Sequence, residues 1–263
     1  MTEVLTLTRW EWFKLQRRWL PWILLVILLI FSQLSVWGNR DRLILPGSIY
    51  LVLGNIHAFS LLLLAILTAS VTGIEYGLGT LRPALARGAG RWQYLAGKFL
   101  LLVLIIGATL LFVVLATAIS SIVYQIIGGG ASSSPNAPGW WDATAEFGRA
   151  WFSLMPYLAL VTLATLLTRS TAAGNAIGLG YYFAEQIVSL ILSALFDWFQ
   201  NVADYLLVRS ITDFTSGLSF NFGASEDTGL LRPALVLLVY TVALSGVAFW
   251  LFNRRDIAGA SGS

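Results

Sequence analysis

The chain has 263 residues, of which 57% are hydrophobic, 13% aromatic and only 11% charged. A soluble domain carries roughly 25% charged residues, so water cannot be the main solvent of this chain, and no stretch has the charge density of a soluble domain. The net charge of +3 does not point to nucleic acid, because the basic residues flank apolar runs, and the absence of cysteine excludes disulfides, thiolate metal sites and cysteine catalysis.

Residues 3–18 predict an amphipathic helix. At about 100° per residue, Val4, Leu5, Trp12, Leu15 and Trp19 share one side, and Glu3, Glu11, Lys14, Arg17 and Arg18 share the other, with Leu7 and Trp10 off the pattern. Such a helix lies in a membrane interface, its indoles at headgroup level and its basic heads toward anionic lipid. Residues 1–18 do not read as a cleavable signal, since the basic residues come late and the apolar run that follows lacks a small-residue cleavage site.

A spanning helix needs about 20 mostly apolar residues. Segments 19–37, 48–74, 96–127, 147–168, 171–196 and 232–252 qualify. The expected fold class is therefore an all-α polytopic membrane protein with six transmembrane helices. The third segment is longer than the hydrocarbon requires and is expected to project beyond it, while Arg169 and Ser170 leave only a tight turn between the fourth and fifth. The organisation is an interfacial helix over 1–18 and a six-helix domain over 19–257. That domain is expected to contain an inner loop at 75–95 and an outer segment at 197–231, and residues 258–263 are expected to form a disordered tail.

Orientation follows from the basic residues. With both termini inside, the inner side holds Arg9, Lys14, Arg17, Arg18, Arg82, Arg87, Arg91, Lys98, Arg169, Arg254 and Arg255, and the outer side holds Arg40, Arg42, Arg149, Arg209 and Arg232. That bias is the positive-inside pattern. Residues 128–142 (GGGASSSPNAPGWWD) read as a flexible outer loop. In the outer segment, Trp198, Phe199, Val202, Tyr205 and Leu206 recur at helical spacing, which predicts short helices on the outer leaflet.

The inner loop EYGLGTLRPALARGAGRWQYLAGK runs from Glu75 to Lys98. Thr80 is a plausible N-cap with Pro83 in the first turn, and Gly88 and Gly90 would end that short helix. Spacing alone is equally consistent with a plain basic loop. The run Glu75-Tyr76-x-x-Gly79-Thr80-Leu81-Arg82, followed by Leu85-Ala86-Arg87, Arg91 and Gly97-Lys98, resembles the segment between the second and third helices of type II ABC exporter permeases, the ABC two-type family. The likeness extends to the basic N-terminal helix, the six spans and the Arg254-Arg255-Asp256 finish. Gly88-Ala89-Gly90 replaces a Pro-containing stretch often found in that family.

The resemblance implies that Glu75, Tyr76, Gly79, Thr80, Leu81, Arg82, Leu85 and Arg87 belong to a coupling helix that docks on a separate ATPase. It also implies two ATPase partners that bind ATP and Mg, and a second permease copy forming a homodimer. The chain itself has no G-x-x-x-x-G-K-[ST] phosphate loop: Trp92 stands where the first glycine should be and Phe99 follows the lysine. It is therefore expected to bind no nucleotide or other cofactor and no metal, and to have no catalytic residues of its own.

In the fifth span, Asn175, Gly178, Tyr182, Glu185, Gln186, Ser189 and Ser193 fall within about 100° of arc. A charge at mid-membrane costs about 2.5 kcal/mol or more on the insertion scale, so Glu185 is expected to face protein or a water-filled cavity. The stripe is either a substrate pathway or a helix–helix seam in which Gly178 permits close approach. By the resemblance it flanks a pathway at a dimer axis. Asn55, His57 and Ser60 add polarity to the second span, and His57, the chain's one histidine, is read as a satisfied interhelical residue with Glu185 as a conceivable partner. A membrane scaffold or receptor, a gradient-driven transporter and an intramembrane protease are the competing functions.

Overall fold

The computed structural model describes residues 2–39, 44–81, 90–128, 139–216 and 230–254. Every element among them is helical. In chain order these are α1 (Thr2–Gln16), α2 (Trp19–Gly38), α3 (Gly47–Gly77), α4 (Arg91–Gly128), α5 (Trp140–Ser153), α6 (Met155–Thr168), α7 (Thr171–Leu195), α8 (Asp197–Ala203), α9 (Leu207–Ser216) and α10 (Leu231–Arg254). Among the described residues, six helical stretches are long and apolar enough to cross a membrane: α2, α3, α4, the nearly continuous pair α5–α6, α7 and α10.

Local chemistry sets the breaks. At the end of α3, Gly79 takes the left-handed conformation (φ +64°), the N–H of Thr80 donates to the Glu75 carbonyl and that of Gly79 to the Tyr76 carbonyl. This is the glycine stop that satisfies a helix's last carbonyls. Between α5 and α6, Leu154 forms the joint and Pro156 opens the next helix, where its missing N–H costs nothing. Arg169 turns the chain in the left-handed region (φ 53°), and Ser170 Oγ accepts the Ala173 N–H at 3.3 Å to cap α7.

Two boundaries differ from the sequence expectation. α4 starts at Arg91 instead of residue 96. α5 starts at Trp140, inside the stretch expected to be loop, because the Asp142 carboxylate accepts the Gly139 N–H at 2.8 Å and closes the first turn. On α1, Leu15, Thr8 and Glu11 are buried against the bundle, whereas Leu5 and Trp12 are exposed. The two buried polar side chains have partners on other elements. Thr8 reaches the Gly97 carbonyl at 3.3 Å, and Glu11 finds lysines on two helices. An apolar-face argument cannot anticipate partners that lie on another element. Short helices, α8 and α9, do follow α7.

α3 is the hub, packing on α2, α4, α5, α6 and α7, while α6 also packs on α7 and α10. Glycines allow the closest of these approaches. A Cβ on Gly174 would lie 2.2 Å from Thr165 Oγ1, and one on Gly178 would lie 2.9 Å from Val161 Cγ2 and 3.1 Å from the Ala65 Cβ. The Gly174-x-x-x-Gly178 face of α7 is therefore seated on α6 and α3 in the small-residue manner of apolar bundles. Exposed tryptophans collect at the two ends of the bundle, with Trp10, Trp12, Trp19, Trp22, Trp92 and Trp250 at the α1 end and Trp37, Trp140, Trp141 and Trp198 at the other.

Candidate functional site

The densest polar cluster among the described residues joins α1 to the end of α3 and the start of α4. Lys98 Nζ lies 2.9 Å from Glu75 Oε2 and 3.8 Å from Glu11 Oε2, and donates to the Val71 carbonyl at 2.8 Å. The Tyr94 hydroxyl donates to Glu75 Oε2. Lys14 Nζ bridges Glu11 Oε1 at 2.5 Å and Glu75 Oε1 at 3.3 Å. The Lys98 side chain is only 3% exposed, against 46% for Lys14. Two lysines thus face two carboxylates, and each charge has an opposite neighbour, the condition for ions to be tolerated in a dry interior. At Lys14 burial lowers the pKa, but hydrogen bonding to Glu11 and the charges of Glu11 and Glu75 outweigh it and hold the ammonium above its ordinary value.

This cluster brackets the loop between α3 and α4. Tyr76 packs beside Leu81, which is buried with Tyr94, Leu95, Leu166, Ala248 and Phe252. Gly79 is the helix stop, and Thr80 is exposed. Arg82, Leu85 and Arg87 lie outside the described residues, as do the short helix expected around them and the 258–263 tail. Across the loop, Arg91 Nη1 donates to the Asn253 carbonyl at 3.1 Å, which ties α4 to the end of α10. Sequence reasoning singled out Glu75 but missed Glu11, Lys14, Tyr94 and Lys98 as its partners. The available signal was the spacing of Tyr94 and Lys98, which share one face of α4.

The polar stripe of α7 is divided between surroundings. Glu185 is buried, Asn175, Tyr182 and Ser189 are half-buried, and Gln186 is exposed. Glu185 Oε1 accepts the Arg209 N–H at 2.8 Å, and the amides of Leu207 and Val208 and the Tyr181 hydroxyl also act on this carboxylate. It therefore sits at the N-terminus of α9, where free N–H groups and the helix dipole favour an anion. We expect Glu185→Ala to loosen α9 by about 1–2 kcal/mol, read as faster amide exchange across 207–216. Glu185→Gln, which keeps an acceptor, should cost less. Unchanged exchange in the Ala variant would refute the capping role.

His57 does not meet Glu185. It is buried against Ser153, with Nε2 3.3 Å from Ser153 Oγ, because this side of α3 faces α5 while Ala65, farther along, faces Gly178. Ser153 Oγ already donates to the Ala150 carbonyl at 2.8 Å, so in this geometry it is the acceptor of a histidine N–H. A serine nucleophile needs the reverse arrangement. Asn55 is exposed and donates to Ser35 Oγ at 2.8 Å, linking α3 to α2. The structure thus brings together neither His57 and Glu185 nor, among the described residues, any three histidine or carboxylate side chains able to hold a metal.

Residues 44–258 match the family described as "Protein of unknown function (DUF2705)". The chain belongs to this family. The DUF2705 match spans α3 to α10, so Glu75, Tyr94 and Lys98 lie inside it and Glu11 and Lys14 precede it. The chain is also similar to "Uncharacterized protein YhcI" of Bacillus subtilis (strain 168), at 26% identity over 207 residues. The aligned region is 73% of this chain and 63% of that relative, so the chain spans under two thirds of the relative's length.

Proposed function

We propose that this chain is the membrane-embedded permease subunit of an ATP-driven exporter. Its six long helices cross the cell membrane with both termini on the inner side, and α1 lies along the inner interface. Two copies pair, substrate moves along their shared axis, and two separate ATPase subunits that bind ATP and Mg dock on the loop at 75–95. Composition, helix lengths and the tryptophans at both ends support the membrane placement.

The observation that carries the coupling role is the buried cluster of Glu11, Lys14, Glu75, Tyr94 and Lys98. A loop that receives a push from a partner needs a mount that does not yield. Ion pairs locking both flanks of this loop to each other and to α1 supply one. A scaffold or receptor has no need of such a mount.

The test uses two loop residues outside the buried cluster and leaves the cluster alone. Leu78 is 66% exposed just past α3. The chain purified gently from its native host should bring an ATPase with it, and Leu78→Glu combined with Arg82→Ala should release that ATPase while the thermal midpoint stays unchanged. If no ATPase is captured even after crosslinking, the permease reading fails.

A further inference from the structure

A second feature at the α1 end is independent of the charged cluster. Between α2 and α4 an apolar crevice runs inward from the bundle surface. Its outer part, about 260 Å3, opens beside Trp12, Gln16 and Trp22. Pro21, Leu25 and Ile105 line both this part and a narrower inner part that continues to α3. Water finds too few hydrogen-bond partners in such a space to fill it. In a bilayer, the molecule at hand to fill it is an acyl chain.

The mouth adds a charge argument. Arg17 and Arg18 form the corner between α1 and α2; Arg17 is exposed and Arg18 half-buried. Among the described residues no carboxylate pairs with either. Lys14, one turn earlier, is by contrast held between two carboxylates. Trp22 Nε1 donates to the Gln16 carbonyl at 3.1 Å and so fixes the corner with an indole at the opening. Uncompensated guanidinium groups match phosphate oxygens, and indoles favour the headgroup level.

We propose that this crevice binds an acyl chain of an anionic phospholipid whose phosphate sits on Arg17 and Arg18. The lipid then supplies the packing that α1, α2 and α4 do not give one another at this point. The inference rests on the reading that the six helices lie in a bilayer and is independent of the ATPase partnership.

The full chain, reconstituted in phosphatidylcholine vesicles containing a minority of phosphatidylglycerol and then extracted, is weighed intact by native mass spectrometry. Phosphatidylglycerol should be retained in preference to phosphatidylcholine. Arg17→Gln with Arg18→Gln should weaken that preference roughly tenfold or more. Leu25→Trp, which fills the crevice, should reduce retention of both lipids, and Arg9→Gln should change neither. Equal retention of the two lipids by the wild type, or undiminished preference in the double variant, overturns the proposal. The chain has no cysteine, so Leu25→Cys is a unique probe; a disulfide dimer through it would put a second copy in the crevice and also overturn the proposal. A chain that stays with membranes but retains no phosphatidylglycerol fails the crevice alone, whereas one that fractionates without membranes fails the bilayer reading itself.

Discussion

Lys98→Met should lower the unfolding free energy by about 3–5 kcal/mol, the cost of breaking a buried ion pair from one side. The change leaves Lys14, which is 46% exposed, as the one cation beside Glu75 and Glu11 among the described residues, and removes the Lys98 donor from the Val71 carbonyl. Glu75→Leu should be as damaging, because it leaves the Lys98 ammonium with a carboxylate no nearer than 3.8 Å. The double variant should cost clearly less than the sum of the two, with a coupling of about 0.5–3 kcal/mol, since replacing both partners removes the buried charges together. Thermal and denaturant unfolding of the four proteins in one detergent measures the cycle. Additive losses below about 1 kcal/mol, the worth of a surface pair, would remove the cluster from any role as a rigid mount.

Gly73→Ala should separate α7 from α3 and destabilise the bundle by about 1–3 kcal/mol, the usual cost of overpacking. The new Cβ would stand 2.6 Å from Thr171 Oγ1, 2.8 Å from the Thr171 Cα and 2.9 Å from Thr165 Cγ2. The hydroxyl can rotate away, but the Cα belongs to the first residue of α7, so the helix itself must move. Gly174→Ala, with Thr165 Oγ1 at 2.2 Å and Cβ at 3.0 Å, should behave similarly. Gly180 provides the internal comparison: nothing lies within 4 Å of its added Cβ, so Gly180→Ala should gain about 0.5–1 kcal/mol from reduced backbone freedom. If Gly73→Ala and Gly180→Ala give the same thermal midpoint, the close seam is wrong.

These two predictions mark what the sequence could and could not convey. Long apolar runs declare helices by themselves, so all six long segments were visible, and the periodic aromatic residues of 197–206 announced the short helices that follow α7. Boundaries that depend on a single side chain were harder: Asp142 turns a loop-like Gly-Trp-Trp into a first helical turn, and Pro156 breaks a span that hydropathy alone reads as one. The polar cluster was least visible. Lys98 looked like one more inner basic residue and Glu11 like the wet side of an amphipathic helix. Both are buried because their partners sit on other helices, a pairing that periodicity within one segment does not encode. For Glu185 the expected burial was legible from the cost of a lone charge, but its partner, the backbone at the start of α9, carries no side-chain signature.

The longest helix also has a mechanical meaning. α4 is tied to α3 near one end by Lys98 and Glu75 and near the other by the Ser121 hydroxyl, which donates to Ser48 Oγ at 2.9 Å. The two ties are 23 positions apart along α4, roughly 35 Å of helix. Next to the second tie, Ser120 donates to Gln33 of α2 at 2.5 Å. Two antiparallel rods joined by rungs at both ends resist shear: neither can slide along the other without breaking a rung. A force along one helix of the α3–α4 pair is therefore shared with the other at both ends, as between the rails of a ladder.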